Sequence, residues 1–119
     1  NEMAEMLPSA SLLVNVSNDA WFGDSLAPHQ HLEIARMRAL ELGRPLLRTT
    51  NTGVSAVVSY KGELVAVSPQ FEIDVLKVEI LPRVGTTAFV KWGNIPVIAL
   101  CIALILVAFG RRQLNYNRE

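Results

Sequence analysis

A lone cysteine, Cys101, stands in a chain of 119 residues, so no disulfide can close within it. Histidine is scarce too: only His29 and His31 are present. Neither sign of charge is in excess, with 11 basic and 11 acidic residues, so no basic surface for nucleic acid is expected. Internal repeats and low-complexity tracts are absent. The chain opens on Asn1 with no initiator methionine and no signal-peptide pattern, and the expectation is a fragment or processed piece of a longer protein. Aromatic residues are few. Of two Trp and four Phe, two stand side by side at Trp21 and Phe22, at the exit of an apolar run. A turn needs Asn, Asp and Gly there, and has no need of two large rings.

Charge is missing altogether from Trp92 to Gly110, "WGNIPVIALCIALILVAFG". As one continuous helix this run would extend about 28 Å, close to the ~30 Å hydrocarbon core of a bilayer. Pro96 suits a first helical turn, Trp92 an interfacial position, and Arg111 and Arg112 close the far end. The expected organisation is therefore a domain over residues 1–90, a transmembrane helix with its flanks over 91–112, and a short polar tail over 113–119. The arginine pair favours a cytoplasmic C-terminus, with residues 1–90 on the outer side.

Within 1–90, Met3, Met6 and Leu7 recur at helical spacing and Pro8 ends them, as in the tail of a helix. Ser11 to Val16 is nearly continuous in apolarity, the pattern of a strand covered on both faces. Pro28 to Leu42 reads as a helix, with Ser25 as a possible cap, Leu32, Ala35, Ala39 and Leu42 as its apolar stripe, and Gly43 as its stop. Pro45 to Thr50 is a short strand. Val54 to Tyr60 and Glu63 to Val67 form a hairpin about Lys61-Gly62. Ile73 to Ile80 alternates and is expected to be a further strand, with residues 83–91 as a linker. A strand, a helix and another strand in succession indicate an α/β fold with a mixed sheet.

Three constellations invite chemistry. Cys101 lies inside the apolar run with no acid, base or donor near it in sequence, so a catalytic thiolate is rejected. His29, His31 and Glu33 fall at i, i+2 and i+4, which one helix face cannot present together; a cap or packing role is expected and no metal site. Glu33, Arg36, Arg38 and Glu41 read as a solvated charged surface, the alternative being that Arg38 and Glu41 are buried to brace a neighbouring loop. The segment Asn18-Asp19-Ala20-Trp21-Phe22-Gly23 differs from these. It sits at the carboxyl end of a strand, where α/β sheets bind ligands. It is either a pocket wall or a hydrophobic plug of the sheet rim.

The stretches "SNDAWFG", "HQHLEIARMRALELGRPLLRTTNTGVSAVV", "KGELVA", "PQF" and "KWGN" before a terminal apolar run resemble the C-terminal part of the bacterial apolipoprotein N-acyltransferase family, which carries a nitrilase-like, carbon–nitrogen hydrolase domain. The resemblance extends from about Leu12 to Arg112. It implies the C-terminal half of an α-β-β-α sandwich, periplasmic, followed by one transmembrane helix of a multi-pass protein in the bacterial inner membrane. It implies transfer of a fatty acyl chain from a phospholipid donor to the N-terminal diacylglyceryl-cysteine of an apolipoprotein acceptor, through a thioester acyl-enzyme. No cofactor is implied. The family's catalytic cysteine, glutamate and lysine lie upstream of the position matching Asn1, so no catalytic residue is assigned here, and residues 1–119 alone are expected to be inactive. What the resemblance leaves to this chain is a substrate pocket bordered by Asn18, Asp19, Trp21 and Phe22. A membrane-tethered nitrilase-type amidase, and a non-catalytic membrane-anchored domain, are the alternatives; the residues preceding Asn1 separate them.

Overall fold

A computed structural model describes residues 2–7 and 9–116, without the side chains of Glu2 and of residues 112–116. Asn1, Pro8, the polar end of the tail and the side chains of Arg112 and Arg118 thus lie outside the description. The elements run α1 (Glu2–Glu5), β1 (Leu13–Ser17), a 3-10 turn (Ala20–Phe22), α2 (Ala27–Leu42), β2 (Leu46–Thr50), β3 (Ala56–Val58), β4 (Leu64–Val67), α3 (Ala88–Trp92) and α4 (Ile95–Tyr116).

The four strands form one sheet in the order β1-β2-β3-β4. β1 and β2 are parallel, with Leu13 opposite Leu46 and Asn15 opposite Arg48, while β2–β3 and β3–β4 are antiparallel. This is the mixed α/β sheet the sequence predicts. The parallel pair requires a crossover, and α2 provides it. Its stripe of Leu32, Ala35, Ala39 and Leu42 is buried as expected. Ala35 and Ala39 are small enough to bring the helix close to Leu46 and Val58, and Leu13 packs against that cluster. Leu32 reaches Val54 and Ala56 in a second cluster. Gly43 ends the helix in left-handed geometry. The cap differs from expectation: Leu26 holds the N-cap position without a side-chain bond, and Ser25 Oγ accepts from the Ala27 N–H at 3.3 Å instead.

The structure departs from three further expectations. Val14 and Val16 are 66% and 76% exposed, so among the described residues β1 is covered by α2 on one face only. Among the described residues no strand forms between 73 and 80. Leu76, Val78 and Ile80 are half-buried and their neighbours exposed, so the alternation is that of an extended segment lying on other residues without ladder bonds. Its further end is tied back by the Arg83 N–H, which donates to the Ser11 carbonyl at 3.0 Å.

The third departure is that the apolar run is not one continuous helix. Among the described residues no helix is long and apolar enough to cross a membrane. Gly93, at φ 54°, closes α3, and α4 begins only at Ile95. The charge-free part of α4, Ile95 to Gly110, then extends about 24 Å at ~1.5 Å per residue. Thr87 fastens α3 to the domain, since its hydroxyl donates to the Glu41 carbonyl at the end of α2 and accepts from the Val90 N–H.

Candidate functional site

The loop that leaves β1 is built around a buried carboxylate. Asp19 is 1% exposed. Its Oδ2 accepts from Arg48 Nη2 at 2.8 Å, and its Oδ1 accepts from Ser17 Oγ at 2.7 Å. His31 Nδ1 lies 3.3 Å from Oδ1. An ionised carboxylate only accepts, so Nδ1 carries the hydrogen of that contact. Arg48 comes from β2, directly across the parallel ladder from Asn15, whose side-chain oxygen accepts from Nη1. Arg48 Nε is buried and has no partner among the described residues.

A second layer fixes the backbone of the same loop. Asn51 Oδ1 accepts from the Asp19 N–H at 3.1 Å and from the Thr52 N–H at 2.9 Å. Asn51 Nδ2 donates to Asn18 Oδ1 at 2.8 Å, and Asn18 Oδ1 also accepts from the Ala20 N–H at 3.1 Å. The turns after β1 and after β2 are thereby joined at the carboxyl ends of two parallel strands. Asn18 and Asn51, with Val16, Ser17, Thr49 and Thr50, line a recess of about 580 Å³ there. On the α2 side, Leu13, Asn15, Ser17, His31, Arg38 and Arg48 line a cavity of about 260 Å³.

The frame sets the two rings differently. Trp21 is 86% exposed, whereas Phe22 is partly covered and meets the His31 ring edge-on, at 5.2 Å between centroids and 79° between planes. His31 therefore packs between Phe22 and Asp19, the packing role expected of it, and His29 is exposed. Arg38 pairs with Glu41 at 2.7 Å on a partly exposed surface, while Arg36, expected on the same solvated surface, donates its Nε–H to the Gly62 carbonyl at 2.8 Å and so holds the turn between β3 and β4. Cys101 is exposed on α4. Of the four residues expected at the pocket, Asn18 and Asp19 are the frame and Trp21 and Phe22 are what it presents.

Burial works against charge on Asp19, but the hydrogen bonds from Ser17 and His31 and the Arg48 guanidinium outweigh it and hold the carboxyl below its usual range. That direction is wrong for a general base, which needs a pKa raised toward neutrality. Asp19 is thus a positioning carboxylate. Because its folded pKa lies below its unfolded value of ~3.9, it adds stability that is full above that value and is lost as pH falls through the folded pKa. The melting temperature difference between wild type and Asp19→Asn is expected to shrink below about pH 4. A difference that stays constant down to about pH 2 would show the carboxyl is not preferentially ionised in the fold.

Arg48, Asn51 and Gly53 escaped the sequence reading. The available signal was an arginine directly after two leucines in a short strand, followed by Asn51-Thr52-Gly53, a turn whose residues have amides to place.

A family model described as carbon–nitrogen hydrolase matches residues 2–89. The apolipoprotein N-acyltransferase of Methylococcus capsulatus is 51% identical over 92% of this chain and 22% of its own length. The enzyme of that name from Shewanella oneidensis is 58% identical over 86% of this chain and 20% of its own. That of Vibrio cholerae is 54% identical over 75% and 18%. The chain spans about a fifth of the length of the curated relatives it matches.

Proposed function

The chain belongs to the carbon–nitrogen hydrolase family, and on that premise we propose that it is the C-terminal part of an apolipoprotein N-acyltransferase. The observation that carries this is identity of about half the residues over nearly the whole chain to enzymes of that name. The reaction is transfer of an acyl chain from a phospholipid to the terminal amine of a diacylglyceryl-cysteine on an apolipoprotein. The cysteine that forms the thioester, its glutamate base and the lysine at the oxyanion lie outside residues 1–119, in the other half of an α-β-β-α sandwich. A thioester stays reactive toward an amine, which suits a two-step transfer.

In this reading residues 18–22 border the acyl pocket. Trp21 and Phe22 offer apolar surface to the chain, and the Asp19–Arg48 pair with the Asn18–Asn51 bridge keeps that surface in place. A wall held on a rigid frame does not have to be ordered when the donor binds, so that part of the binding cost is avoided. The exposed apolar residues of α4, among them Ile98, Ile102, Ile105 and Phe109, support seating of the run from Trp92 to Gly110 in the bacterial inner membrane, with Trp92 at the interface. The domain would then face the periplasm and the C-terminus the cytoplasm.

The test uses the full-length protein with a phospholipid donor and a diacylglyceryl-cysteine peptide. Trp21→Ala is expected to lower the rate of acyl transfer at least tenfold, a rough figure for the loss of one pocket wall. Its melting temperature should stay put, because the ring is mostly exposed. Wild-type rates would make the loop a rim plug. Release of free fatty acid without amide formation would assign a hydrolase instead.

A further inference from the structure

Phe71 has a backbone its side chain does not favour. Among the described residues it is the one non-glycine residue at positive φ, at 63°. Left-handed geometry crowds Cβ against the following carbonyl, and only Gly, Asn and Asp visit it freely. Burial does not offset that strain, since Phe71 is 55% exposed. Bulky residues held in this way cluster at ligand clamps and active sites. The fold also says which site. Gln70 Nε2 donates to the Gly23 carbonyl at 3.4 Å, across 47 positions of sequence, and so brings the segment to the end of the Trp21–Phe22 turn. Three aromatic rings, all at least partly exposed, then belong to two loops tied to each other.

We infer that Phe71 is a specificity-determining residue of the acyl pocket, setting with Trp21 and Phe22 the length of chain the site accepts. The inference rests on the acyl-transfer reading above. The occupant is the acyl chain of the donor: residues 20–23 and 69–71 carry no charge that would select a head group, and the apolar α4 follows in the same chain. The left-handed backbone sets the direction in which the Phe71 side chain leaves the main chain before the donor arrives, so the placing of that part of the wall belongs to the protein and not to the lipid.

The test is Phe71→Gly in the full-length protein. Glycine accepts the backbone geometry, so the melting temperature should be unchanged or higher. The kcat/KM for a long-chain phospholipid is expected to fall about tenfold, and the preference over a short-chain donor to shrink by a similar factor. The KM for the peptide acceptor should not move. An unaltered chain-length profile in a well-folded variant overturns the inference. So does weaker binding to vesicles with the profile intact, which would make Phe71 a membrane contact. Absence of acyl transfer by the wild type would instead sink the underlying reading. Labelling by a phospholipid with a photoreactive group in its acyl chain then decides for Phe71: label on the peptide containing it supports the pocket, and label confined to α4 excludes it.

Discussion

Asp19→Ala is expected to destabilise the domain by about 3–5 kcal/mol, the range for removing one partner of a buried ion pair. The side chains of Asp19 and Arg48 are 0% and 3% exposed. Deleting the carboxylate leaves Arg48 charged, buried and, among the described residues, held by Asn15 alone, and it leaves the Ser17 hydroxyl without its acceptor. Most of the loss is therefore the penalty of a stranded guanidinium, which yields a sharper test. Arg48→Met combined with Asp19→Ala should be less destabilised than Asp19→Ala alone, because the charge is gone. Denaturant unfolding of the full-length protein measures both. A loss below about 1 kcal/mol in the single variant would mean that water reaches Arg48 and that the pair does not hold the loop.

Gly53→Ala is expected to do comparable damage for a steric reason. A Cβ at Gly53 would lie 2.3 Å from Asp19 Oδ2, 2.8 Å from Asp19 Cβ and 2.9 Å from Asp19 Cγ. The carboxylate cannot swing aside without leaving Arg48, so the turn after β2 must move and take Asn51 with it. Overpacking costs about 1–3 kcal/mol in ordinary cores, and more is expected where the obstacle is itself pinned. Activity should fall further than stability, since Asn51 ties this turn to Asn18. Placing Gly53→Ala in the Asp19→Ala background removes two of the three clashes, so the two losses should add to less than their sum. Strict additivity would show that the backbone at Gly53 and the carboxylate are not in contact.

Much of this arrangement is legible along the chain. The 3- and 4-residue steps of Leu32, Ala35, Ala39 and Leu42 report the buried side of α2 because burial and helical period are coupled locally. Gly43 after Leu42 reports its end. Ile73 to Ile80 misled for a related reason. Alternation records that one side of an extended segment is covered, and says nothing about a neighbouring strand to bond with. The run from Trp92 shows a different limit: absence of charge is a property of composition, while the break at Gly93 is a property of φ.

Residue order by itself determined the strand–helix–strand unit, the aromatic turn at its first exit and, through "SNDAWFG" and "RPLLRTTNTG", the family. Each is set by interactions among residues near one another in the chain, or by identity alone. What Asp19 does was decided in three dimensions. Its partner Arg48 stands 29 residues away and meets it because the parallel register sets Arg48 beside Asn15. The turn at Gly53 can approach only because no Cβ intervenes. A buried charge must find its counter-charge wherever the fold brings one, and no local pattern names that residue in advance.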